Sequence, residues 1–276
     1  MASHVEDRAP LFPGLRPFGE NEGEAFFGRD REISTVTSLI IADGYVVLHG
    51  RSGVGKTSFI HAGLVPAVRG SGCDVLPVVR YAARSTGDPL VSPDFESSGG
   101  RRILVVDHAE ELFWKDRARA SDREAFLDEI WQAMQDDRRM SVLFSLREDY
   151  VARLDEIADV FPNRMRVRFR LSPLGRPAAL EALTRPLERH GYAFVDDAAE
   201  QLIKMLADDE DLVEPPMLQV AMTGIVRALQ ARGQTRIDSQ FVGMHGGVDH
   251  ALASFYDSTI RAVAASRECV RRSSGT

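Results

Sequence analysis

A lysine, a hydroxyl residue and two glycines stand at a spacing that can hold phosphate. Gly50 is followed, after four residues, by Gly55, Lys56 and Thr57 in the run GRSGVGKTS. Glycines let backbone N–H groups close around an anion, a lysine ammonium sets a compact positive charge on the outer phosphates, and a threonine hydroxyl can ligate Mg²⁺. Gly50, Arg51, Ser52, Gly53, Val54, Gly55, Lys56, Thr57 and Ser58 are therefore the expected phosphate-binding residues, the last of them opening a helix whose N-terminus faces the anion. With 22 Gly in 276 residues and three lysines beside 31 arginines, composition alone accounts for roughly 0.002 such matches.

A second group of residues narrows the chemistry. Asp107 closes the apolar run Ile103, Leu104, Val105, Val106, so it sits at the C-terminal end of a strand buried on both faces. There it is placed to hold Mg²⁺ together with Thr57. Glu110 and Glu111 follow one turn later and can polarise an attacking water; the competing reading is an acidic helix start favoured by the dipole. Arg147 ends another strand, SVLFSL, at the sheet edge where ligands bind, and can sense a terminal phosphate. Its alternative is a surface ion pair with Glu148 or Asp149. His49 and His108 flank the two motifs and are read as packing residues.

The elements that position these groups alternate. Residues 45–48 read as the strand before the phosphate loop, and residues 30–41 as a helix preceding it, with Gly44 between. Lys56 begins a crossover helix expected to stop before Pro66. Residues 73–81 form a strand placed at an edge by Pro77, and residues 84–101, rich in Ser, Gly and Pro, a surface loop. Ser121 and Glu124 make a capping box for a helix with a stripe at Phe126, Leu127, Ile130, Trp131 and Met134. Residues 166–171 alternate arginines with Val167, Phe169 and Leu171, as in an exposed edge strand. This alternation predicts an α/β fold with a mostly parallel sheet. Beyond Ser172 the period is helical, with helices expected at 176–190, 196–208, 216–231 and 248–266 and a glycine-rich β-wing over 235–248. The expected organisation is an arm (1–31) packing near the nucleotide, a P-loop core (32–172), a helical lid with winged-helix character (173–268) and a disordered tail (269–276).

Composition bounds the setting. A net charge of −7 argues against broad nucleic-acid binding. Cys73 and Cys269 are too few for a disulfide framework or a zinc site, the N-terminus lacks the features of a signal peptide, and no apolar run reaches membrane-spanning length, so a cytoplasmic protein is expected.

Taken together, PGLRPF (13–18), FFGRDREI (26–33), GRSGVGKTS, ILVVDHAEELF (103–113), SLREDY (145–150), EPPMLQVAM (214–222) and GGVDHALASFY (246–256) resemble the novel STAND group of signal-transducing P-loop NTPases. The resemblance implies the additional-strand sheet order, with the Arg147 strand between those of the phosphate loop and Asp107. It implies that Phe27, Gly28 and Arg29 contact the adenine side, that Arg147 is a sensor arginine, and that Pro216 packs near the base. It further implies an ATP/ADP-governed switch that binds Mg²⁺, hydrolyses slowly, self-associates on a signal and works with a protein sensor or effector not visible in this chain. Two other functions remain open from the residues: a nucleotide-locked scaffold with negligible turnover, and a DNA-binding ATPase of the origin-recognition type.

Overall fold

The computed structural model describes residues 10–83, 90, 99–114, 120–157 and 165–246. The chain divides into two compact units: Phe18–Gly23 with Arg29–Ser172, and the described residues within Met1–Pro17, Glu24–Gly28 and Pro173–Thr276. The proline- and phenylalanine-rich N-terminal segment is therefore shared between the units.

The first unit is built on a parallel sheet. Helix α1 (Asp30–Asp43) buries Val36 and Ile40 and ends at Gly44, whose φ of 75° lets its N–H return to the Ile40 carbonyl. Strand β1 (Tyr45–Gly50) follows, then the phosphate loop and a single helical turn, α2 (Lys56–Ser58). The helix continues as a wide π-helical turn (Phe59–Leu64) into α3 (Val65–Gly70), so it does not stop before Pro66. The Val65 N–H bonds to the Ile60 carbonyl, five residues back. That shifts the hydrogen-bond register and leaves Pro66 in the first turn of α3, where a missing N–H is tolerated.

Strands β2 (Asp74–Val75) and β3 (Val79–Arg80) replace the single strand expected over 73–81, because Pro77 interrupts the ladder; both lie at the edge, beside β4 (Arg102–Asp107). A 3₁₀ turn (Ala109–Phe113) leads towards α4 (Ala120–Asp136), which begins one residue before Ser121, so that residue falls inside the helix rather than at its cap. Strand β5 (Met140–Arg147) and a 3₁₀ segment (Glu148–Glu156) precede β6 (Arg168–Arg170). The sheet order is β2-β4-β5-β1-β6, all parallel, so the Arg147 strand lies between the other two. Its core gathers Leu104, Val106, Ile130, Val142, Phe144 and Phe113. Of the loop expected over 84–101, only residues 90 and 99–101 are described.

The second unit alternates short strands with helices: β7 (Leu174–Gly175), α5 (Arg176–Arg189), β8 (Ala193–Phe194), α6 (Ala198–Leu206), β9 (Leu212–Val213), α7 (Pro215–Arg232), β10 (Arg236–Ile237) and α8 (Ser239–His245). β7 pairs antiparallel with β9, and β10 parallel with β8. Where a β-wing was expected over 235–248, β10 is followed by α8, capped by the Asp238 carboxylate accepting the Phe241 N–H at 2.7 Å. Leu183, Leu187, Leu202, Ile203, Leu218, Met222 and Ile225 form the core of this unit, with Phe12 of the N-terminal segment among them. The Phe12 carbonyl accepts the Thr223 hydroxyl at 3.2 Å. The helix expected over 248–266 and the tail at 269–276 lie outside the described residues. Among the described residues, no helix is long and apolar enough to cross a membrane.

Candidate nucleotide site

Parallel strands deliver their C-terminal ends to one edge, and the motif residues converge there. Gly50 of β1 is in register with Arg147 of β5, and Asp107 ends β4 on the far side of β5. The loop that leaves β1 turns through Gly53 and Gly55 at φ of 82° and 92°, a region closed to residues with a β-carbon except at a cost. Gly50 is required for another reason: a β-carbon there would lie 2.5 Å from the Leu171 carbonyl oxygen. Arg51, Ser52 and Gly53 are exposed, whereas Val54 is buried and fixes the loop to the core.

The Lys56 ammonium folds back over the loop, donating to the Gly50 carbonyl at 2.9 Å and the Arg51 carbonyl at 3.1 Å. Burial lowers its pKa, and Glu110 and Asp107 counter this from nearby. Thr57 Oγ1 donates to Asp107 Oδ2 at 2.9 Å, while the His108 N–H donates to Asp107 Oδ1 at 2.9 Å. Hydroxyl and carboxylate are thus side by side, an all-oxygen pair suited to a hard cation that takes its remaining ligands from phosphates and water. The donors present fit Mg²⁺ and a nucleotide polyphosphate. Ser58, next in the helix, accepts the Phe18 N–H at 3.1 Å and so ties the N-terminal segment to the loop.

The two glutamates differ sharply. Glu110 is buried, with Oε2 accepting the Arg147 N–H at 3.3 Å and Oε1 lying 3.4 Å from His108 Nδ1. Burial raises its carboxyl pKa, but the His108 imidazole and a backbone hydrogen bond outweigh that and hold it below the usual range. The same contact with Glu110 raises His108, against the effect of burial. Glu111 has both oxygens engaged elsewhere: Oε1 takes the Arg80 guanidinium at 2.7 Å and Oε2 the Ala82 N–H at 2.8 Å. It fastens β3 to the 3₁₀ turn.

Arg147 reaches the site through its backbone. Its guanidinium is paired with Asp149, Nε at 3.0 Å and Nη2 at 2.8 Å, and lies 5.9 Å from the Tyr150 ring centre. Arg29 is fully engaged inside the first unit: its guanidinium donates to the Ser172 carbonyl at 2.8 Å, to Glu32 at 2.9 Å and to the Val54 carbonyl of the loop at 3.5 Å. In the second unit, the half-buried Phe27 ring lies under the Arg189 guanidinium at 4.8 Å, and Gly28 (φ 82°) abuts the Ala178 carbonyl. Pro216 is the second residue of α7, a position where proline costs no helical bond.

His108 was read as packing, yet the structure places it between Asp107 and Glu110, with a left-handed backbone (φ 54°). Its only sequence signal is adjacency to Asp107. His49, by contrast, has a buried Nδ1 with no hydrogen-bond partner, and burial with the nearby Arg170 charge lowers its pKa.

A phosphate loop, a strand-end aspartate bonded to the loop threonine and a strand inserted between theirs define a P-loop NTPase of the additional-strand class. The family model for Novel STAND NTPase 1 matches residues 11–273, and the chain belongs to that family. Comparison with curated proteins gives no match. Among solved structures, a Walker-type ATPase of Pyrococcus abyssi is similar over 95% of this chain and 80% of its own, at 14% identity and a TM-score of 0.57. The Orc1 protein of Aeropyrum pernix, in complex with DNA, is similar over 84% of this chain and 66% of its own, at 14% identity and a TM-score of 0.51. At such identities the likeness is one of fold.

Proposed function

We propose that this chain is an ATP- and ADP-binding switch module of the cytoplasm that hydrolyses ATP slowly with Mg²⁺ and changes its self-association with nucleotide state, under the control of a protein sensor or effector. The observation that carries the reading is the Thr57–Asp107 hydrogen bond of 2.9 Å with buried Glu110 beside it. Lys56 and the 50–58 backbone would hold the phosphates, and Thr57 and Asp107 would hold Mg²⁺, which supplies charge neutralisation. Glu110 would orient water and accept its proton, a role that its ionised carboxylate and burial support. Glu111 is assigned to structure. Arg147 would report the terminal phosphate after leaving Asp149. Phe27, Gly28, Arg29 and Pro216 keep the adenine-side role only by family resemblance, with Arg29 acting through the loop rather than on the base.

The Arg147–Asp149 pairing favours a second reading, a nucleotide-locked scaffold with negligible turnover. ATP affinity, phosphate release and light scattering with ADP or ATP and Mg²⁺ separate the two. For the switch, Lys56→Ala weakens ATP binding by about 10-fold or more, and Glu110→Gln lowers phosphate release by ~100-fold while binding is kept. Unchanged affinity in Lys56→Ala overturns the phosphate site, and bound ATP that is never hydrolysed by the unaltered chain leaves the scaffold.

A further inference from the structure

We infer that His108 is a positioning residue that holds the Glu110 carboxylate in its working orientation; the inference rests on Glu110 acting as proposed above. Three separate features meet at this residue. Its backbone is left-handed, φ 54° and ψ 41°, a conformation that strains a side chain with a β-carbon. Its N–H is fixed on Asp107 Oδ1 at 2.9 Å, which sets the sharp change of direction as the chain leaves β4. The turn then brings the imidazole between two carboxylates, Nδ1 at 3.4 Å from Glu110 Oε1 and Nε2 at 3.7 Å from Asp107 Oδ2.

The consequence for Glu110 is a two-sided hold. One oxygen faces the imidazole of its own turn, and the other takes the Arg147 N–H at the end of β5. A glutamate has three rotatable side-chain bonds, and these two contacts, with a backbone hydrogen bond to the same carboxylate, limit them, whereas its neighbour Glu111 is held by Arg80 and the Ala82 N–H. Were the turn alone at stake, glycine would serve at position 108 without strain. The strained histidine is explained by what its ring does, and this function is independent of its charge, because a neutral imidazole protonated at Nδ1 donates in the same direction.

The test compares three full-length variants with the unaltered chain in ATP turnover. His108→Gly relieves the backbone and removes the ring. His108→Ala removes the ring and keeps the strain. His108→Asn tolerates the left-handed backbone and sets an amide N–H close to the place of Nδ1. Expected is a fall in kcat of about 10–100-fold for Gly and Ala with KM for ATP within about 2-fold, and recovery to within about 3-fold for Asn. In the Glu110→Gln background, His108→Gly should cost less than about 2-fold more, since the two act through one group. If Glu110→Gln is inactive while His108→Gly turns over like the unaltered chain, the inference fails and the NTPase reading stands. An equal loss with and without Glu110 also overturns it. An unaltered chain that binds ATP and releases no phosphate refutes the turnover reading and this inference with it.

Discussion

Replacing Arg29 by methionine tests whether the phosphate loop is held from behind by a buried cation. Arg29 is 4% exposed, and its guanidinium donates to the Ser172 carbonyl at 2.8 Å, Glu32 at 2.9 Å and the Val54 carbonyl at 3.5 Å. The first two are short charge-assisted bonds at about 1.5–3 kcal/mol each, which bounds the loss at about 3–6 kcal/mol. Methionine fills the stem and removes the cost of burying the charge, and water can reach the exposed Ser172 and part-exposed Glu32, so the net loss should be about 2–4 kcal/mol. For a unit of this size that lowers the unfolding midpoint by roughly 4–16 °C. The Val54 carbonyl belongs to the loop itself, so ATP affinity should also fall, by about 5-fold or ~1 kcal/mol. Arg29→Lys should recover under half the stability, because a single ammonium cannot match the planar fork that serves three acceptors. Denaturant unfolding and ATP titration of the three chains decide it. Arg29→Met within about 0.5 kcal/mol of the unaltered chain, with equal affinity, would refute the reasoning.

Glu111→Gln should cost about 1–3 kcal/mol of stability by breaking the Arg80 pair, while ATP affinity and turnover stay within about 2-fold; a turnover defect without loss of stability would return Glu111 to the chemistry. Asp137 gives a pH signature. Burial raises its carboxyl pKa, but the Arg139 N–H and the Arg102 guanidinium outweigh this and take it from 3.8 to about 2. A carboxylate depressed in the folded state contributes stability that is complete above its unfolded pKa and is lost as pH falls through the folded one. Discounted for screening by solvent around Arg139, Asp137→Asn should be about 1–2 kcal/mol less stable at pH 7, the gap closing between about pH 4.5 and 2. A gap independent of pH over that range would show that the pair does not stabilise the fold.

Much of the site was legible in the chain because its determinants are contiguous. The phosphate loop is encoded in nine consecutive residues, and its turn at Gly53 and Gly55 follows from the glycines within it. The apolar runs ending at Asp107 and Arg147 marked strands buried on both faces, and burial on both faces already implies a parallel sheet with its working edge at those ends. The helices of the second unit were legible from periodicity, although α8 was not: seven residues containing Gly243 carry too weak a signal, and the Asp238 cap only gains meaning once Phe241 and Val242 are seen to be buried.

Glu110 and Glu111 could not be told apart by type or spacing. Their difference comes from Arg80 on β3 and the Arg147 N–H on β5, which reach them only after the sheet has assembled. Arg29 was assigned to the adenine side through resemblance; its acceptor at Ser172, 143 residues away, was set by folding. The helix beyond the loop passed Pro66 because a π turn shifted its register, which no local rule about proline anticipates. Composition and spacing determined that this chain has a phosphate loop on a parallel sheet and an aspartate at the C-terminal end of another of its strands. Tertiary structure alone decided which partners hold each carboxylate, which arginine supports the loop and where His108 points, because side-chain orientation depends on neighbours that sequence distance does not reveal.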